Sequence, residues 1–309
     1  MTMRMNRWRM KRLMMVPFAH TRAAENLYEW LTAVLLGTQK GMSRKWCYWF
    51  REHVVLCRRY GRVDFAEKRL WLFEPGWSLA PVILGRLITP RDILVTEDHD
   101  RLAGRYVPFA LEEAGKAGAA LQRSAGPPGG DLALLEDLRE ATSARQVLSA
   151  CRARYHVGDL GSLARIEPGS SDACFSMGRL EHFDPEELTV LMSQMFRILA
   201  PGGITSHIVD HRDHFWHYDK SIHCFHHLTY SDTEWASVAK GRHMYRNRLL
   251  EGDYARMFEE QGFEVLAAVH HLHRDDASGV SPGSLWGRYS ELSPKDLEAA
   301  VTHFVVRRP

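Results

Sequence analysis

No stretch of roughly 18 consecutive apolar residues occurs in the chain, which removes a transmembrane helix. There is no internal repeat and no low-complexity tract, so no repeat architecture is indicated. Net charge is also lacking. Lys and Arg total 40 against 38 Asp and Glu, a formal +2, so no global field points to nucleic acid or to a membrane. Cysteine is sparse: Cys47, Cys57, Cys151, Cys174 and Cys224 are scattered, odd in number and without a Cys-x-x-Cys pair. Neither a disulfide framework nor a structural zinc site can be built from them, and a reducing cytoplasm is the expected compartment. Leu13 to Ala19 is a short apolar stretch broken by Pro17, so no signal peptide is expected.

What remains is a 309-residue chain, 45% apolar and 25% charged, able to bury a core in one large domain or one domain with an appendage. Two units are expected: 1–66, a basic tail with an N-terminal helical extension, and 67–309, an α/β domain. Arg4, Arg7, Arg9, Lys11 and Arg12 precede the first acid, Glu25; such a run is either solvated or an attachment to phosphate or anionic lipid. Leu27, Trp30, Leu31, Val34 and Leu35 mark one amphipathic helix, and Trp46, Trp49, Phe50 and Cys57 a second, with a break at 37–43. This extension either completes the core or forms a lid.

From Arg69 short apolar runs alternate with helical segments, the βαβ texture of a parallel sheet. Strands are expected at 70–73, 93–96, 204–209, 263–269 and 301–306, a loop at 124–130, and helices from Leu132, Leu135 and Leu138 and over 253–261. The clearest segment is 172–203. A buried strand leads into a loop with Glu181 and His182, then a helix with Asp184 as N-cap, Pro185 in its first turn, and Leu188, Leu191, Met192, Met195, Phe196 and Leu199 on one face. Pro201-Gly202-Gly203 ends it.

Ser171-Asp-Ala-Cys-Phe-Ser176, Leu180-Glu-His182 and Phe196-Arg-Ile-Leu-Ala-Pro-Gly-Gly203, in that order, resemble the class I S-adenosylmethionine-dependent methyltransferases, and Tyr230-Ser-Asp-Thr-Glu-Trp235, Tyr245-Arg-Asn-Arg248-Leu, Tyr254 and Glu259-Glu-Gln-Gly-Phe263-Glu-Val resemble an ill-defined bacterial subset of them. The resemblance spans about residues 68 to 307. It implies a Rossmann-like, mostly parallel seven-stranded sheet whose last strand is antiparallel, helices on both faces, and S-adenosylmethionine as cofactor.

The resemblance assigns cofactor contacts to successive strand ends. Glu74, Gly76 and Trp77 follow the first strand, although the family's loop is richer in glycine. S-adenosylmethionine has no pyrophosphate, so the loop has only to pass close to the methionine and ribose portions. Glu97 or Asp98, about twenty residues on, suits ribose hydroxyls. Asp159 and Leu160 would meet the adenine, and Ser176 and Met177 the methionine end.

Seven histidines, His207, His211, His214, His217, His223, His226 and His227, crowd one stretch of 21 residues. The run His-x-His-x-Asp-His of a metallo-hydrolase is incomplete because Val209 stands at a ligand position, so no metal is assigned. Placed after the fifth strand, His211, Asp213 and His214 are the candidates to position or deprotonate the methyl acceptor. Arg246 and Arg248 either clamp an anionic group of the acceptor or pair on the surface. The expected activity is methyl transfer to an unidentified small-molecule, glycan or lipid acceptor, with no nucleic-acid partner and the oligomeric state open. The alternatives are an inactive methyltransferase-like binding protein and a metal-dependent hydrolase using residues 207–227.

Overall fold

Short, almost wholly apolar runs become the centre of a sheet because both of their faces are covered. β1 (Arg69–Phe73), β2 (Asp92–Glu97) and β4 (Ser171–Met177) are such strands, buried over nearly their whole length. β3 (Ala153–Val157) lies at one edge and has no fully buried residue. β5 (Leu199–Asp210), β6 (Glu264–His270) and β7 (Val301–Arg307) complete seven strands in the order β3-β2-β1-β4-β5-β7-β6. β1 to β5 are mutually parallel, and β7 runs antiparallel between β5 and β6. The computed structural model describes residues 38–88, 91–125, 133–239, 245–271 and 280–309, with a few isolated positions before 38.

The two-residue period of the strands sorts side chains into two cores. Leu70, Leu72, Ile93, Val95, Ala173 and Phe175 face helices α1 (Thr38–Gly61), α2 (Ala80–Leu87) and α3 (Val107–Ala125). Trp71, Phe73, Leu94, Cys174 and Phe304 face the other way, onto α6 (Pro185–Ile198) and α8 (Glu251–Glu260). α4 (Ala133–Asp137) and α5 (Ala144–Ala150) pack into the first of these cores, and α7 (Asp232–Val238) into a small cluster with Phe215. The sheet is therefore covered by helices on both faces, as expected. All five cysteines are free and buried.

Several boundaries differ from the sequence reading. α1 already begins at Thr38, so the break expected at 37–43 is helical from its second residue on. A lone glycine such as Gly41 costs a helix only about 1 kcal/mol, which the burial of Cys47, Phe50, Val54 and Cys57 outweighs. α3 runs to Ala125, into the loop expected at 124–130, and the rest of that loop and Leu132 lie outside the described residues. The basic tail apart from Arg9, and most of the first expected helix, also lie outside them. β5 starts at Leu199, so Pro201-Gly202-Gly203 sits within its first turn of chain: Gly202 has φ +75°, and a Cβ on Gly203 would lie 2.7 Å from the Ala200 carbonyl oxygen.

Candidate active site

Strand order reverses between β1 and β4, and in open α/β sheets ligands bind in the crevice beyond the carboxyl ends of the strands at such a point. A cavity of about 540 Å³ lies there, within the range of roughly 300–1,000 Å³ usual for small-molecule sites. Its floor is made by residues after β1, β4 and β5, and one wall by Met42, Lys45, Trp46 and Trp49 of α1. Segments 212–239 and 245–250 close the far side with Phe215, Tyr218, Trp235 and Arg246.

After β1 the chain turns through two left-handed residues, Glu74 (φ +46°) and Gly76 (φ +75°). A Cβ on Gly76 would find nothing within 4 Å, so that backbone borders open space. Glu74 is buried and ion-paired with Arg179, which follows β4. Arg179 also lines the cavity, and its Nε is buried without a partner.

Glu97, at the end of β2, is spoken for on both oxygens. Its Oε1 accepts the Gly76 backbone N–H at 2.5 Å, and its Oε2 is paired with Arg101. Burial lifts the carboxyl to about 7 against the opposing pull of Arg101. Asp98 would also be raised by burial, but a hydrogen bond from His99 and the Arg101 charge hold it well below the usual carboxylate range. It is Arg101, not Glu97, that lines the cavity.

Other expected contacts stand further off. The Asp159 carboxylate caps the turn 160–165 by accepting the Ser162 N–H at 3.0 Å, and Leu160 packs against the second core. Ser176 is 1% exposed and bonded to His207 Nδ1 at 2.7 Å. None of the three lines the cavity, whereas Glu74, Gly76, Trp77 and Met177 do.

On the acceptor side the histidine run disperses. His207 is fully buried between Ser176 and Thr205. His211, a candidate base from sequence, has its Nδ1 3.1 Å from the Leu249 carbonyl oxygen and its Nε2 3.0 Å from Thr302 Oγ1, and it is not among the residues that line the cavity. Asp213 and His214 do border it. Asp213 accepts the Phe215 N–H at 2.7 Å, capping the 3₁₀ turn His214–His217, while its Oδ2 is buried without a partner. Burial raises Asp213 to about 6. Burial, with the charges of Arg246 and His182, holds His214 well below the ordinary histidine range and so neutral.

Glu181 ties these parts together. It is 3% exposed, pairs with Arg246 at 3.1 Å, and its backbone carbonyl accepts the Asn247 N–H at 2.9 Å. Arg246 also donates to the carbonyls of Asp210 (2.9 Å) and Arg212 (2.6 Å). Of the two arginines considered from sequence, Arg246 therefore braces the cavity wall. Arg248 points to Asp232 and the Tyr230 carbonyl instead. Sequence reasoning missed Arg101 and Arg179 as site residues. Arg179 was findable, because it stands two residues past a parallel strand end on the ligand side of the sheet.

Residues 131–203 match a family model described as a methyltransferase domain. No curated protein matches the chain. Among solved structures it is similar to a SAM-dependent methyltransferase from Methanosarcina mazei (10% identity, 82% of this chain and 96% of that one, TM-score 0.45). It is also similar to an S-adenosylmethionine dependent methyltransferase from Mesorhizobium loti (14% identity, 82% and 96%, TM-score 0.43). The matched stretch supplies β3, β4, α6 and the start of β5 in a Rossmann-like, seven-stranded, mostly parallel sheet with an antiparallel β7.

Proposed function

We infer that the protein transfers a methyl group from S-adenosylmethionine to a nucleophile held on the Asp213–His214 side of the cavity. The observation that carries this reading is one continuous cleft that joins the strand ends bearing Gly76 and Met177 to the acidic and histidine groups after β5. The methionine portion of the cofactor suits the β1–β4 end. There the Gly76 backbone is open, and the partnerless Nε of Arg179 is available to a carboxylate.

When bound, the cofactor supplies a methyl group on a good leaving sulfur. The chain has then to hold the acceptor in line and to exclude water. Trp46, Trp49 and Trp77 give that end of the cavity apolar walls. The free Oδ2 of Asp213 accepts a hydrogen bond or a proton from the acceptor. A partly open cleft of this size suits a small acceptor, or the end group of a glycan or lipid.

A second reading, a methyltransferase-like protein that binds no cofactor, draws on the engagement of Glu97 by Arg101 and the Gly76 N–H. Calorimetry with S-adenosylmethionine and S-adenosylhomocysteine separates the two. Micromolar binding is expected, weakened at least tenfold, about 1.4 kcal/mol, by Gly76→Val, which forces a branched side chain into a left-handed backbone at the cavity. No heat with either ligand would remove the enzymatic reading.

A further inference from the structure

Three side chains at the acceptor end make an arrangement to which the methyl-transfer reading gives no joint role. Asp210 is the last residue of β5, and His214 and His217 are the first and last residues of the 3₁₀ turn that follows. In a 3₁₀ helix residues i and i+3 eclipse one another, so the two imidazoles project on the same side. Their ring centroids are 5.7 Å apart, and His217 Nε2 is 3.4 Å from Asp210 Oδ2. One ligand atom from each of the three lies within 4.8 Å of the others, and all three residues border the cavity.

We propose that Asp210, His214 and His217 form a binding site for a divalent first-row transition ion. Two imidazoles and one carboxylate, with the remaining positions open to the cavity, are a donor set that zinc, cobalt or ferrous iron accepts. The set is also braced before any ion arrives. Arg212 donates to both Asp210 oxygens, at 2.8 and 3.0 Å, and metal-binding carboxylates are commonly held by such an outer hydrogen bond. A carboxylate has about four lone-pair sites, so these contacts leave Asp210 able to ligate. The turn that carries the histidines is fixed by the Asp213 cap and by a 2.6 Å hydrogen bond from the Asp213 N–H to the Cys224 carbonyl.

The other close set of acids, Glu74, Glu97 and Asp98, is already neutralised by Arg101 and Arg179 and offers no comparable site. Under the methyl-transfer reading, on which this role rests, the ion binds an acceptor hydroxyl or thiol as its anion. The acceptor proton passes to solvent, the oxygen or sulfur lone pair forms the new bond to the methyl carbon, and the breaking carbon–sulfur bond leaves its electron pair on the donor sulfur.

The test is titration of Co²⁺ into the chelator-treated full chain, followed by visible d–d absorption. One equivalent per chain is expected. His217→Ala, at a ring about a third exposed and therefore tolerant of replacement, and Asp210→Asn should each weaken binding at least tenfold. His156→Ala, on β3 and away from the cavity, should leave it unchanged. Absence of a band in the unaltered chain, or a band that survives both His217→Ala and Asp210→Asn, overturns the site. Calorimetry of the metal-free chain with S-adenosylmethionine keeps the two readings apart. Cofactor binding without Co²⁺ binding sinks only the ion site, and Co²⁺ binding without cofactor binding sinks only its role in methyl transfer.

Discussion

Glu97 has its charge in a place where charge is costly, and Arg101 is what makes it bearable. The two side chains are 0% and 7% exposed. Removing one partner of a buried pair strands the other, at a cost of about 3 kcal/mol or more. Arg101→Ala should therefore lower unfolding free energy by about 3 kcal/mol in urea titrations, whereas Glu97→Gln, which keeps the shape and leaves Arg101 on Asp98, should cost about 1 kcal/mol. Equal losses in the two variants would contradict this account. The acids themselves were legible, because Glu74, Glu97, Asp98 and Asp159 each follow a recognisable strand. Their engagements were not: Arg179 meets Glu74 across 105 positions, and no local pattern encodes that. For the same reason histidine density could not say that His211 turns into the wall while His214 turns into the cavity.

At the scale of elements, α6 shows what local sequence dictates. Asp184 accepts the Glu187 N–H at 2.8 Å while Glu187 reaches back to the Asp184 N–H at 3.2 Å, with Pro185 between them. Leu188, Leu191, Met192, Met195 and Ile198 are all fully buried. Cap, first turn and apolar stripe agree, and each is readable within four residues. Asp184→Ala should cost about 1 kcal/mol, seen as a lower urea midpoint with an unchanged slope, and should leave cofactor affinity intact because the cap faces away from the cavity. The start of α1 was misread for the opposite reason. Its continuity past Gly41 is decided by the packing of Phe50 and Val54 on the sheet, which no local signal reports. The segment after β5 shows both cases. Its place on the ligand side follows from the strand pattern, but its 3₁₀ turn and the pairing of His217 with Asp210 arise only once Asp213 caps it.

Across the whole molecule, four histidines are stored neutral in the interior. His53, Ser206 and His303 form a buried triangle with contacts of 2.8 to 2.9 Å, and His207 and His211 are buried as well. Burial, with mutual repulsion, holds His53 and His303 well below the ordinary range; burial alone pulls His207 down to about 3 and is the main cause that brings His211 to about 4. Between those values and the unfolded pKa of about 6.5, the unfolded chain binds more protons than the folded one. Stability is thus complete above pH 6.5 and declines as pH falls, by on the order of 1 kcal/mol per pH unit for each histidine. Glu97, raised to about 7, Asp213, raised to about 6, and Glu181, also raised by burial, work in the other sense, while His214 and His227, held well below the ordinary range, add to the four. Urea titrations at pH 7.5, 6 and 5 should show stability dropping steeply over the last step; a flat profile would mean that these rings are not held neutral. No described helix is long and apolar enough to cross a membrane.

α1 serves two masters, and this constrains how anything reaches the cavity. Its Trp46 and Trp49 look into the site, yet Phe50, Val54 and Cys57 on the same helix are fully enclosed, and His53 is bonded to Ser206 of β5. Such a helix cannot swing like a door, because moving it would pull Cys47, Phe50, Val54, Leu56 and Cys57 out of the core it shares with α2 and α3. Traffic of cofactor and acceptor must pass the opposite rim, where His217 and Tyr218 stand exposed. A chain cut back to Gly61 would not be a wider-mouthed version of this protein; it would be one whose sheet had lost the cover of Cys47, Phe50, Val54, Leu56 and Cys57.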